Sequence, residues 1–322
     1  MSSEEYVKAL KLIKQAKKIA IVGHEHADGD CVGSALALAA FIKSIKIPVE
    51  VYMEEGASRQ FAYLEGYEII KEIIPKNRKY DLLICVDFNT PDRMGKNEPV
   101  MQASKKILCF DHHLGFNVNC NLAISEPKYA ACGEIIYEFF KTNNLEITKG
   151  ISNMLYTSVS TDTGCFLYSN TTDHTHNVAA ELIRLGADIE KINYINFRVF
   201  DKNLLSGLEQ ILRDLKFHRD GQISLTHLKN SREFDENERH KFKQYVSDIK
   251  GVRASIFIEQ DEKDVFHVSL RSHGDVNVEI PARIFGGGGH KNASGFTICG
   301  NYKSIVRRIL LEVEKAIDGR NR

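Results

Sequence analysis

The chain has 322 residues, enough for about two domains. It is 43% hydrophobic and 27% charged, which excludes collagen-like and disordered classes. Lysine plus arginine equals aspartate plus glutamate at 43 each, so a bulk electrostatic grip on long nucleic acid or an anionic membrane is not expected.

The opening Met1-Ser-Ser-Glu-Glu places acid where a secretory signal needs base. No apolar run approaches the ~20 residues that span a bilayer. Seven scattered cysteines without a CxxC pair read as thiols in a reducing compartment. The expected setting is the cytoplasm.

In chain order, residues 5–17 carry apolar positions at helical spacing, and Lys18 to Gly23 is a short apolar run that suits a buried strand. A helix is expected over 33–45, then strands at 48–53, 81–86 and 106–110. Helices are expected at 132–142, 150–160 and 174–185. Strands separated by helices imply crossover connections and a mostly parallel sheet flanked by helices. Residues 188–214 read as linking helices. Strand-like runs follow at 222–227, 253–259 and 265–270, then Gly286-Gly-Gly-Gly-His290 and a terminal helix over 302–317. The expected organisation is a catalytic α/β domain over 1–190, a helical linker over 191–214 and a smaller α/β domain over 215–322.

The chemistry-bearing residues of the first half follow the apolar strands, and in open α/β sheets ligands sit beyond the carboxyl ends of strands. His24, Asp28 and Asp30 follow the first strand, and Asp87 follows the strand at 81–86. Asp111, His112 and His113 follow the strand at 106–110, and Asp162 comes after the helix at 150–160. Each piece has an ordinary reading. Asp-Gly-Asp before a helix is a common cap and turn, and adjacent histidines are common at surfaces. Together they point to metal binding. His24, Asp28, Asp30, Asp87, His112 and Asp162 offer four carboxylates and two imidazoles without a thiolate, a set that suits Mn²⁺, Mg²⁺ or Fe²⁺. Four carboxylates at one point repel without cations. A carboxylate shared by two cations about 3.5–4 Å apart resolves this, and is suited to phosphate-ester hydrolysis.

These motifs resemble the DHH phosphoesterases of the DHH–DHHA1 type. His24-x-x-x-Asp28-Gly-Asp30-x-x-Gly33-Ser34 is similar to the first motif. Val86-Asp87 with Asp92-Arg93 is similar to the second, and Asp111-His112-His113 is the third. Thr161-Asp162-Thr-Gly-x-Phe166 is similar to the fourth. Gly286-Gly-Gly-Gly-His290-x-x-Ala293-Ser294-Gly295-Phe296 is similar to the DHHA1 signature. Ala27 stands where the family often has proline.

The resemblance implies two divalent cations, Mn²⁺ first, with Mg²⁺ and Fe²⁺ as competitors. His24, Asp28 and Asp87 would hold one; Asp30, Asp87, His112 and Asp162 the other. Asp87, His112 and His113 are the implied catalytic residues, His113 contacting the scissile phosphate or assisting the leaving oxygen. His113, Arg271, Ser272, Gly287, Gly288, Gly289 and His290 are the implied substrate contacts: glycine amides approach an anion closely, and arginine suits a phosphate.

The resemblance is greatest to the bacterial oligoribonuclease-like members. It implies hydrolysis of RNAs of two to five nucleotides, including linear pApA, to nucleoside monophosphates, with removal of the 3′-phosphate of adenosine 3′,5′-bisphosphate (pAp) alongside. The alternatives are a cyclic di-AMP phosphodiesterase and, in another class, a non-catalytic nucleotide-binding regulator. Expected partners are the short RNA or dinucleotide and a second copy in a homodimer, with no long nucleic acid and no membrane.

Overall fold

The computed structural model describes residues 3–54, 56–199, 202–234 and 236–319. The chain divides into two compact units, Met1–Val199 and Phe200–Arg322.

The first unit begins with α1 (Ser3–Gln15), β1 (Ile19–Val22), α2 (Gly29–Ser44), β2 (Val49–Tyr52), β3 (Ile70–Lys71) and β4 (Leu82–Val86). It continues through α3 (Val100–Ala103), β5 (Ile107–Asp111), β6 (Leu122–Ser125), α4 (Cys132–Thr142), α5 (Lys149–Asp162), α6 (Asp173–Arg184) and α7 (Ile189–Asn193). All six strands are parallel, in the order β3-β2-β1-β4-β5-β6. The chain winds outward from β1 to β3, returns to β1's other side at β4, and winds outward again. The switch point therefore lies between β1 and β4, where doubly wound sheets bind ligands.

The strands alternate as a pleated sheet covered on both faces must. Ile19 and Ile21 face a core shared with α1, α2, α4 and α5. Ala20 and Val22 face a smaller core with Leu83, Cys85, Phe88, Met94 and Cys109. The strands and helices expected in this half are present. Two short strands were not anticipated, β3 and β6, which form the sheet's edges and are too short to show a periodicity.

In the second unit, α8 (Lys202–Arg213) is followed by β7 (Lys216–His218), β8 (Ile223–Lys229), α9 (Glu236–Ser247), β9 (Ala254–Glu262) and β10 (Val265–Ser272). Then come α10 (Glu279–Ile284), β11 (Gly288–His290), β12 (Ala293–Cys299) and α11 (Tyr302–Ile317). The sheet order is β11-β12-β10-β9-β8-β7, and only β8 and β9 pair in parallel. One face packs Ile256, Ile258, Val268 and Leu270 against Ile305, Ile309 and Val313 of α11. The other packs Phe257 against α8 and α9 through Leu204, Ile211, Phe242 and Val246. All seven cysteines are free thiols. Among the described residues no helix is long and apolar enough to cross a membrane.

Candidate active site

Asp28 begins the site, and its ordinary reading holds too. It is the N-cap of α2, its Oδ1 accepting the backbone N–H of Asp30 and of Cys31, each at 3.0 Å. That cap starts α2 four residues earlier than apolar periodicity suggests, and so puts Asp30 on the first helical turn. Asp30 is buried and tightly held. Its Oδ1 accepts from Ser34 Oγ (3.0 Å), Ser158 Oγ (2.5 Å) and Gly133 N–H (3.1 Å), and its Oδ2 from Cys132 N–H (2.7 Å). The first motif's Gly33-Ser34 thus has a physical role. Ser34 binds Asp30, and a Cβ on Gly33 would lie 2.3 Å from the Met154 carbonyl oxygen of α5. The supports from α4 and α5 were not legible beforehand, because they lie more than a hundred residues away.

Asp87 follows β4 with φ of 65°, a backbone conformation that costs an aspartate about 1–2 kcal/mol. Its two carboxylate oxygens face different imidazoles. Oδ2 lies 3.5 Å from His24 Nε2, and Oδ1 lies 3.4 Å from His112 Nε2. His24 Nε2 is also 3.8 Å from Asp28 Oδ1. His112 Nε2 is also 3.6 Å from Asp30 Oδ2 and 3.7 Å from Asp162 Oδ2. The ring orientations are fixed from behind: His24 Nδ1 donates to Glu25 O (2.6 Å), and His112 Nδ1 to Tyr129 O (3.3 Å). Arg93, from the second motif, stands 3.4 Å from His24 Nδ1. All six candidate ligands thus gather at the sheet's switch point, around two positions that share Asp87.

The electrostatics are those of several acids and two imidazoles brought together in a buried place. Burial, then repulsion from Asp87, pushes Asp30 up to about 7. Burial, then Asp30, raises Asp162 well above the usual carboxylate range. Burial works against charge on Asp87 too, but the imidazoles of His112 and His24 hold it low. Burial opposes the charged form of His112, yet Asp87 and Asp30 push it up to about 11. His24 is likewise raised against its burial, by Cys31 beside it and by the carboxylates of Asp28 and Asp87. Asp87 Oδ1 is buried without a hydrogen-bond partner, an orphan that a cation would satisfy. Donor set and orphan both fit divalent ions.

Asp111 is the last residue of β5 rather than the first of the loop, and is fully buried. Its Oδ1 accepts from His113 Nδ1 at 2.8 Å, and its Oδ2 from the His113 backbone N–H at 3.2 Å. His113 is 45% exposed, and Asp111 raises its pKa. Phe166 packs against the core and stacks on His176 at 5.4 Å. Cys31 belongs with the cluster as well: a ligand atom each from His24, Cys31 and Asp87 lie within 4.8 Å of one another. The sequence offered no signal for it, since one cysteine among seven scattered ones has no ligand spacing.

In the second unit, β11 is a short hairpin strand on β12. Gly288 pairs with Gly295, Gly289 with Ser294, and His290 with Ala293. Gly289 has φ of 140°, which only glycine adopts readily. On its other side Ala293 pairs with Arg271. Arg271, Ala293 and His290 therefore form one row across three strands on one face, the outer two about 10 Å apart. Ser272 does not join them. Successive strand residues face opposite sides, and Ser272 is buried, its Oγ donating to Val276 O at 2.8 Å and accepting from Asn292 Nδ2 at 3.0 Å. The Ser272 side chain braces the turn beside the row.

Residues 18–159 match the DHH family N-terminal domain, and residues 230–318 match the DHHA1 domain. The bifunctional oligoribonuclease and PAP phosphatase NrnA of Thermus thermophilus is 28% identical, over 97% of this chain and 96% of its own. The cyclic-di-AMP phosphodiesterase PdeA of Listeria monocytogenes is 26% identical over 87% of this chain, which spans 44% of that longer protein. The crystal structure of an exopolyphosphatase-related protein from Bacteroides fragilis superposes with a TM-score of 0.87 at 25% identity, covering 98% of this chain and 96% of that one. Two domains of these types in this order, with a nearly end-to-end match to the Thermus relative, make the chain a member of the DHH–DHHA1 phosphoesterase family.

Proposed function

We propose that the chain is a divalent-metal-dependent phosphodiesterase that hydrolyses short oligoribonucleotides, including pApA, to nucleoside monophosphates, and that it removes the 3′-phosphate of pAp. The observation that carries the reading is Asp87, whose two oxygens face the two imidazoles of separate acidic clusters. His24, Asp28 and Asp87 would hold one cation; Asp30, Asp87, His112 and Asp162 the other. Mn²⁺ is the proposed ion, as the resemblance implies, with Mg²⁺ and Fe²⁺ as competitors; oxygen and imidazole donors suit all three. When bound, the pair supplies Lewis-acid activation of the phosphoester and of the attacking water.

The chain's own residues do the rest. Asp111 holds the Nδ1 proton of His113 and raises the ring's pKa. That shift favours the protonated ring, from which the Nε2 proton would pass to the leaving oxygen. Ser34, Ser158 and the amides of Cys132 and Gly133 fix Asp30, so that the acids do not swing apart as charge changes. Arg271, His290 and the amides of Gly287, Gly288 and Gly289 are the proposed grip on a terminal phosphate, with Ser272 positioning the turn. The proposed setting is the cytoplasm, from the scattered thiols, and the proposed assembly is the homodimer that the resemblance implies.

A product time course with Mn²⁺ on a 5′-phosphorylated RNA dinucleotide, pAp and cyclic di-AMP tests this. The expected result is fast cleavage of the dinucleotide, turnover of pAp and slow cleavage of the cyclic substrate. Fast cyclic cleavage would favour a signalling phosphodiesterase, the activity named for the Listeria relative. No turnover with metal bound would leave the binding-protein reading standing.

A further inference from the structure

We propose that Glu134 is a positioning residue for His112, acting through the peptide group between Tyr129 and Ala130. The inference rests on the two-cation reading above. The carbonyl of that peptide accepts from His112 Nδ1 at 3.3 Å, and its N–H donates to Glu134 Oε2 at 3.4 Å. Carboxylate, peptide and imidazole thus form one chain of hydrogen bonds. At its far end is the Nε2 that faces Asp30, Asp87 and Asp162. A carboxylate on the N–H of a peptide polarises its carbonyl, which then holds the Nδ1 proton more strongly. The ring is fixed in orientation and tautomer, and its Nε2 becomes a better donor to a cation.

The ordinary reading of Glu134 is a helix cap. It is the third residue of α4, from which a glutamate commonly reaches back to the N-cap N–H. Here it reaches one residue further, past the N-cap Ala131 to Ala130. It is also fully buried, and burying a carboxylate costs more than a cap contributes. His174 braces the arrangement from both sides. Its Nε2 lies 4.0 Å from Glu134 Oε2, and its ring stacks on that of Tyr129 at 4.8 Å.

The same turn holds the other ligands of this cation position. The N–H groups of Cys132 and Gly133 bind Asp30 at 2.7 and 3.1 Å. Asn170 Nδ2 donates to Ala130 O at 3.2 Å and to Asp162 O at 3.1 Å, tying the turn to the residue that carries the third carboxylate. His24 is held instead by the carbonyl of Glu25. Glu134 therefore acts on one cation position and not on the other.

Glu134→Gln in the full chain tests this. Glutamine keeps an oxygen for the Ala130 N–H and caps as glutamate does, but lacks the charge. Calorimetric titration with Mn²⁺ should show one of two equivalents weakened about ten- to a hundredfold and the other unchanged, with Tm of the metal-free chain little altered. Glu138→Gln is the control: Glu138 also faces His174, at 3.6 Å, and should leave both equivalents unchanged. In the Mg²⁺-loaded chain, the Nδ1 proton of His112, assigned by its loss in His112→Gln, should move upfield in Glu134→Gln while that of His24 stays. Unchanged Mn²⁺ affinity in folded Glu134→Gln overturns the proposal, as does an equal loss in Glu138→Gln. If Glu134→Gln does not fold, the Ala130 amide proton of the unmodified chain decides: it should resonate downfield, as an amide bound to a carboxylate does, and an ordinary shift overturns the proposal. Failure of the unmodified chain to bind two Mn²⁺ overturns the two-cation reading itself.

Discussion

Asp87 carries two opposed burdens, a left-handed backbone and a buried carboxylate with an unpartnered oxygen. Strain of this kind persists where surrounding structure enforces it, and it clusters at functional sites. Asp87→Ala should lower turnover by several kcal/mol of barrier, about 10³-fold or more. It should also reduce bound Mn²⁺ from two per chain to one or none, by elemental analysis. Near-full activity would refute the shared-ligand assignment. His113→Ala should behave differently. Loss of a general acid costs about 10²–10⁴-fold in kcat, but metal stoichiometry should not change, and a nitrophenyl ester with a good leaving group should suffer least. An equal loss on both substrates would argue against proton donation.

Protonation gives a further residue-level test. In the metal-free chain Asp30 is pushed up to about 7 and His112 to about 11. Below those values each holds a proton that an incoming cation must displace. Mn²⁺ affinity should therefore weaken as pH falls, by up to about tenfold per unit for each proton released, and most steeply below about 7, where Asp30 adds to His112. Calorimetric titration at pH 6 and pH 8 reads this directly. Affinity independent of pH would contradict the competition between protons and cations.

At the scale of elements, the centre is made by strand ends and by two helices in close approach. β1, β4 and β5 deliver His24, Asp87 and the Asp111–His113 segment. α2 and α5 deliver Asp28, Asp30 and Asp162, and Gly33 lets the two helices meet. These elements were legible because each strand is a short apolar run and each helix begins or ends at a chemistry-bearing residue. The edge strands β3 and β6 and the hairpin strand β11 were not, being two to four residues long with no face to repeat. Pairing is what revealed the row of Arg271, Ala293 and His290. Arg271→Ala should raise KM about ten- to a hundredfold, the worth of a charged hydrogen bond, with kcat little changed. Ser272→Ala should act through stability of the turn. If Ser272→Ala raised KM as strongly at unchanged stability, the division of roles across the strand would be wrong.

At the scale of the molecule, the first unit carries buried acids that its own cationic groups do not fully offset. Mn²⁺ at a hundred times its dissociation constant should stabilise it by about 2.7 kcal/mol. For a unit of about two hundred residues that is roughly 5–10 °C in Tm. Hydrogen exchange should find the added protection within Met1–Val199, chelator should reverse it, and Asp87→Ala should blunt it. A shift of equal size in that variant would mean that the ions bind elsewhere.

The sequence by itself determined the class of fold, the family and the six residues that meet at the centre. Apolar runs dictate strands, crossovers dictate parallel order, and ligands collect beyond strand carboxyl ends. Tertiary structure alone decided what depends on groups distant in the chain. It set Asp87 between two imidazoles, brought the supports of α4 and α5 to Asp30, and turned Ser272 away from Arg271. Such outcomes follow from packing and strand register, which bring together residues far apart in sequence, and no local pattern of residues encodes them.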